Sequence, residues 1–376
     1  ISSAADRGST SASRSIISSR QARANRSRSR SAGRSGNASE GASIEGPVVM
    51  GDAIVPDGSD SIATGFTPCP PIRQHAGDPK GTSMDIQQLF SVRDKVALVT
   101  GGSRGIGEMI AAGFLANGAK VYISSRKADA CRATADRLME RYGGECIPIP
   151  ADLSGLDGAA ALAAELGEHE SRLDVLVNNA GQAWGASLEE FPEKGWDRVL
   201  NVNVKGPFFV IQQLLPLLEA AGTADDPARV INIGSIDGLR PPRLQTYSYS
   251  PSKAAIHAMT RQLAAELAPR NVVVNAIAPG PFPTWMLSTG VGGGGDVENT
   301  DWDEVARGNP RGRVGTPEDI AGLAIFLSSR AGAFTVGEII TATAASACAE
   351  RRVRPRHGTA RFPTGPCFGF GAGWST

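Results

Sequence analysis

The stretch "VALVTGGSRGIGEMI", residues 96–110, runs from an unbroken apolar segment through four glycines (Gly101, Gly102, Gly105 and Gly107) into a helical pattern. Glycine allows a tight turn and lets backbone N–H groups come close to a pyrophosphate. A helix that opens directly after the turn adds unpaired N–H groups and a partial positive charge. Glycine clusters alone carry little information. One that closes a strand and opens a helix has the sequence form of a phosphate turn.

Downstream, the same alternation repeats. "AKVYIS" (119–124), "CIPIP" (146–150), "LDVLVN" (173–178), "RVINIGS" (229–235) and "VVVNAIA" (272–278) are short apolar runs, and helix-like segments such as "AAIHAMTRQLAAELAPR" lie between them. "VGEII" (336–340) reads as one further strand. Continuous apolar runs suit parallel strands covered on both faces. Strand–helix alternation predicts an α/β fold, a single Rossmann-like doubly wound parallel sheet with helices on both faces, over residues 84–342.

The flanks differ in composition. Residues 1–83 begin with a Ser/Arg-rich run, "SRQARANRSRSRSAGR", and continue into Gly/Pro-rich sequence. Without a hydrophobic period such a segment has too little apolar surface to offset its ordering entropy, and disorder is expected. Its Arg-rich, acid-poor character fits an organelle transit peptide; a plain disordered tail, or translated sequence upstream of a start at Met84, fits it too. Residues 343–376 read as an irregular C-terminal tail.

The chain is formally neutral, but residues 1–34 carry eight arginines against Asp6, and residues 350–376 carry five arginines against Glu350. The middle is therefore acidic, which argues against a nucleic-acid-binding core. No run of about 18 apolar residues is present, so no membrane-spanning helix is expected. The five cysteines are scattered and form no CxxC pair, which argues against a disulfide framework or a metal site and fits a reducing compartment. A cytoplasmic location is expected, or a mitochondrial one if the N-terminal segment is a transit peptide.

"YSYSPSK" (247–253) carries the proton chemistry. Tyr249 and Lys253 are four residues apart and share one helical face, whereas Tyr247 is six residues from the lysine and does not. Pro251 suits the first turn of a helix, which places Tyr249 at a helix entrance. A free tyrosine has a pKa of about 10. A neighbouring ammonium stabilises the phenolate and would bring the pKa down.

The TGxxxGxG spacing at 100–107, "NNAG" (178–181), "NIGSIDG" ahead of "YSYSPSK", and "NAIAPGPFPT" (275–284) stand in an order that resembles the short-chain dehydrogenase/reductase family. The resemblance covers about residues 92–342. It implies a catalytic set of Asn203, Ser235, Tyr249 and Lys253. Ser235 would hydrogen-bond the substrate oxygen, Tyr249 would give the proton, and Lys253 would tune Tyr249 and hold the nicotinamide ribose. Asn203 would bend a helix and hold a proton-relaying water; Asn201 is the competing choice in "LNVNVKG".

For cofactor binding the resemblance implies Gly101, Ser103, Arg104, Gly105, Ile106 and Gly107 at the phosphates. Asp152 and Leu153 would meet the adenine, and Asn179, Ala180 and Gly181 would line the central turn. Pro279, Gly280 and Thr284 would lie over the nicotinamide. The second strand ends "YISSRK", with Ser125 and Arg126 where an acidic residue would accept from the ribose hydroxyls of NAD. Arg104 and Arg126 converging on a 2′-phosphate favour NADP(H).

"FSVRDKVALVTGGSRGIG", "WGASLE", "QQLLPLL" and "PARVINIGS" look like the 3-oxoacyl-acyl-carrier-protein reductases of the rhamnolipid type. That resemblance implies reduction of a 3-oxoacyl thioester, carried by acyl carrier protein or coenzyme A. A reductase of another ketone or polyol, or a non-catalytic NADPH-binding regulator, are the competing readings. A homodimer or homotetramer is implied, although "GEIITATAAS" lacks the family's Asp-Gly-Gly segment near the subunit interface. Beyond Thr284, "WMLSTGVGGGGDVENTDW" reads as a mobile lid or a plain surface loop, and Trp184 as a pocket wall or a packing residue.

Overall fold

The computed structural model describes residues 84–344 apart from 243, 291 and 293. The expectations for residues 1–83 and for the tail beyond 344 lie outside the described residues. A short helix α1 (Ile86–Leu89), N-capped by Asp85, precedes β1 (Val96–Thr100). There follow α2 (Gly105–Ala116), β2 (Lys120–Ser124), α3 (Ala128–Tyr142), β3 (Cys146–Pro148), α4 (Leu156–His169) and β4 (Val175–Asn178). The second half holds α5 (Glu193–Leu200), α6 (Gly206–Ala221), β5 (Ala228–Ile233), α7 (Tyr249–Leu267) and β6 (Val272–Pro279). It ends with α8 (Trp285–Gly290), α9 (Trp302–Arg307), α10 (Pro317–Ser328) and β7 (Ile339–Ala342).

All seven strands are parallel, in the order β3-β2-β1-β4-β5-β6-β7. The order reverses between β1 and β4, and the crevice outside the carboxyl ends of those strands is where such sheets take ligands. β1 is buried at every position. Ala97 and Val99 join a core with α2, α3 and α10 on one face, and Val96 and Leu98 join a second core with α4, α6 and α7 on the other. Two buried faces explain the unbroken apolar runs.

Every expected strand is present, and the last is displaced. β7 spans Ile339–Ala342 rather than 336–340. Gly337 adopts φ +75° and donates to Val274 O, and the N–H of Glu338 goes to the Asn275 side chain. The chain therefore enters the ladder only at Ile339, opposite Ala276. The apolar run alone could not show that a left-handed glycine delays the strand.

Candidate active site

The phosphate turn is assembled from two strand ends. Gly101 and Gly105 have φ of +65° and +58°, which favour glycine, and a Cβ on Gly101 would lie 2.8 Å from Asn179 Nδ2. Asn179 holds the turn from below: its Nδ2 donates to Thr100 O (2.9 Å) and Gly101 O (3.1 Å). The Thr100 hydroxyl accepts from Asn179 N (3.0 Å) and Ala180 N (3.1 Å) and donates to Val177 O (3.2 Å). Thr100 opens the TGxxxGxG motif, but the motif alone gives it no role. Its signal is the Thr that precedes the first glycine, a residue whose hydroxyl can serve backbone on the neighbouring strand.

This turn fits a dinucleotide phosphate: glycine backbone open to a ligand, followed by the N-terminus of the twelve-residue α2, whose N-cap Arg104 supplies no side-chain cap. The Ser103 carbonyl accepts from Thr134, and Ile106 packs on the core under the turn. Arg104 lies close enough to Arg126 that its pKa is lowered, by burial first and then by that second guanidinium. Arg104, after β1, and Arg126, after β2, are thus like charges near enough to disfavour each other, and an anion bound there would relieve that. Ser125 bonds Lys127 O, Asp152 is exposed and turns its carboxylate to Ser154 N, and Leu153 is buried in the core. Pro279 ends β6; Gly280 N donates to Ala342 O (3.0 Å), so the β7 end supports the turn that aims Thr284 at Gly105.

Asn203 lies in a five-residue π-helical segment, Asn201–Lys205, between α5 and α6. Its amide is fully engaged: Oδ1 accepts from Gln182 N (2.8 Å), and Nδ2 donates to Gln182 O (2.9 Å) and Ser252 Oγ (2.9 Å). The wide turn carries this buried side chain inward to meet the loop after β4 and the first turn of α7. Asn203 thus ties the loop after β4 to the first turn of α7. Gln182 and Ser252 were not singled out from sequence; only the fold shows that they are its partners.

α7 begins at Tyr249, with Pro251 its third residue. Ser235 ends the turn after β5, and its hydroxyl accepts from Asp237 N (3.1 Å). A hydrogen bond with Ser235 works to lower the Tyr249 pKa, but desolvation dominates and pushes it up to about 12. Lys253, 5% exposed, donates to Ile233 O (2.7 Å), and its Nζ lies 5.6 Å from the centre of the Tyr249 ring. Burial brings the lysine down to about 8. This corrects the expectation of a phenol already lowered by the ammonium: Lys253 reaches the β5 carbonyl, and the ion is itself desolvated, so its field does not offset the cost of a buried phenolate.

Tyr247 packs edge-on against Phe191, ring centres 5.6 Å apart, and Trp184 packs against Gly195 of α5. Tyr247, Pro242, Leu244 and Pro251, together with Gln245, Thr246 and Ser250, line a cleft of about 430 Å³ at the first turn of α7. The segment after Thr284 is more structured than its glycines suggested. Ser288 bonds Asp296 O (3.1 Å) and Thr300 Oγ1 (2.7 Å), and the Asp296 carboxylate accepts from Glu298 N and Asn299 N. Among the described residues no helix is long and apolar enough to cross a membrane.

A family model described as short chain dehydrogenase matches residues 95–290. The rhamnolipids biosynthesis 3-oxoacyl-[acyl-carrier-protein] reductase of Pseudomonas aeruginosa is 51% identical over 251 residues, 67% of this chain and 95% of that protein. Among solved structures, the Pseudomonas aeruginosa RhlG/NADP active-site complex superposes with a TM-score of 0.63 at 49% identity, covering 68% of this chain and 96% of that one. L-sorbose reductase from Gluconobacter frateurii, complexed with NADPH and L-sorbose, gives 0.60 at 28% identity, over 67% and 96% of the two chains.

Proposed function

The chain belongs to the short-chain dehydrogenase/reductase family, and from that premise we propose that it is an NADPH-dependent carbonyl reductase that converts a 3-oxoacyl thioester to the 3-hydroxyacyl thioester. The observation that carries this reading is Tyr249 at the α7 entrance with Lys253 Nζ 5.6 Å from its ring centre, one turn along the same helix. The cleft at the first turn of α7 joins the apolar Pro242, Leu244 and Pro251 with the polar Gln245, Thr246 and Ser250, and has room for a substrate. The 51% identity to a 3-oxoacyl reductase supports the 3-oxoacyl thioester class.

In this reading the cofactor supplies the hydride. Arg104 and Arg126 hold its 2′-phosphate, the 101–107 turn its pyrophosphate, and Lys253 its nicotinamide ribose. The Ser235 hydroxyl donates to the carbonyl oxygen, and Tyr249 Oη gives that oxygen its proton as negative charge develops. A phenol with a pKa of about 12 stays protonated at neutral pH, as an acid in the reductive direction requires. Asn203 holds α7 to the loop at Gln182 and keeps Lys253 under the site.

Replacing Tyr249 by Phe should abolish NADPH oxidation with acyl thioesters while calorimetry still shows NADPH binding; an active Y249F enzyme rules the acid out. Arg126→Asp should shift preference from NADPH toward NADH, read as the ratio of kcat/KM values. A screen comparing acetoacetyl thioesters of coenzyme A and acyl carrier protein with small ketones and sugars separates the acyl reading from the polyol reading that the sorbose reductase likeness would favour.

A further inference from the structure

The guanidinium carbon of Arg104 sits over the indole of Trp285, 4.6 Å from the ring centre. Trp285 is the first residue of α8 and directly follows Thr284, whose side-chain methyl would be 3.3 Å from a Cβ on Gly105. The other edge of the indole rests on Gly295, where a Cβ would collide with Trp285 Nε1. The ring thus lies between the phosphate turn and the glycine-rich segment that follows α8.

Three physical points give this contact a role. Arginine is long and loses considerable rotamer freedom when it is fixed on a ligand. Arg104 also feels the like charge of Arg126, which disfavours a fixed guanidinium there unless another contact offsets it. An indole face supplies that contact through cation–π attraction, which uses the face of the guanidinium and leaves its in-plane N–H donors free for phosphate oxygens.

We propose that Trp285 is a positioning residue for recognition of the 2′-phosphate, holding Arg104 beside Arg126 so that the segment after β6 takes part in choosing NADPH over NADH. The inference rests on the reading that Arg104 binds that phosphate. Trp285 acts through Arg104 and need not touch the cofactor. The segment that contributes Thr284 to the nicotinamide side would then sense the far end of the same dinucleotide.

The test is a double-mutant cycle on the full chain, reading NADPH and NADH affinities by isothermal titration calorimetry. Trp285→Ala should weaken NADPH by about fivefold and NADH by less than about twofold, the size of one exposed cation–π contact. Trp285→Phe keeps a ring face and should retain most of the NADPH affinity. In an Arg104→Ala background, Trp285→Ala should cost nothing more. Equal losses for NADPH and NADH, or effects that add in the double variant, overturn the proposal by showing a general packing role. If Arg104→Ala weakens NADPH but Trp285→Ala does not, the inference alone fails; if Arg104→Ala leaves NADPH affinity unchanged, the phosphate reading of Arg104 fails with it.

Discussion

His257 stands one helical turn beyond Lys253, 2% exposed, and neither of its ring nitrogens has a hydrogen-bond partner among the described residues. Its imidazole packs where a Cβ on Gly234 would be, immediately before Ser235. Burial, then Lys253 and Arg261, bring its pKa down to about 4. A histidine depressed in the folded state binds its proton first in the unfolded chain. Stability is therefore full above the unfolded value near 6.5 and falls as pH drops toward 4. Over that window His257 should cost about 3 kcal/mol of stability. Urea unfolding at stepped pH should show the loss in the wild type and a flatter acid limb in His257→Gln. The proposed active pair Tyr249 and Lys253 was legible from its four-residue spacing, and Ser235 from the resemblance alone. Their charge states were not, because desolvation depends on what the fold packs around them.

At the scale of elements, the π-helical turn at 201–205 and the entrance of α7 do the positioning. "LNVNVKG" gives no sign of a wider turn, since five-residue π segments have no distinctive period, and the choice between Asn201 and Asn203 rested on resemblance. The fold favours Asn203 through three hydrogen bonds, which link its side chain to Gln182 and Ser252. Asn203→Ala would leave the Gln182 backbone and Ser252 without those partners, at a cost of about 2–4 kcal/mol. The expected outcome is a lowered melting temperature together with a fall in kcat larger than any change in the Kd for NADPH. A loss of NADPH affinity alone would place Asn203 with the cofactor instead. β7 teaches a related lesson: its apolar residues were visible, but the conformation of Gly337 set its start.

Across the whole molecule, the sheet is fastened at the end opposite the site. Arg229, 1% exposed at the start of β5, donates to Leu327 O (3.1 Å), Ser329 O (3.0 Å) and Asp226 Oδ1 (3.0 Å), and also to Pro227 O. Lys95, just before β1, reaches the same Asp226 and Ser328 O. These two cations take up carbonyls at the C-terminal end of α10, where the helix dipole is negative. Arg229→Met would leave buried carbonyls unpaired and should destabilise the fold by about 3 kcal/mol, lowering Tm by roughly 10 °C. NADPH affinity should be unchanged, because the site lies at the other end of the strands.

The amino-acid sequence by itself determined the parallel α/β architecture, the glycine turn, and the pairing of Tyr249 with Lys253. Each of these is written in short-range periodicity: unbroken apolar runs, glycine after a strand, and four-residue spacing on a helix. Only the tertiary structure decided that Thr100 and Asn179 hold the turn, that Lys253 reaches Ile233, and that Arg104 lies on Trp285. Those contacts join residues far apart in the chain, and the burial that shifts Tyr249 up and Lys253 down arises when two layers of helix close over the sheet. A spacing can place two groups on one face; the dielectric around them exists only once the chain has folded.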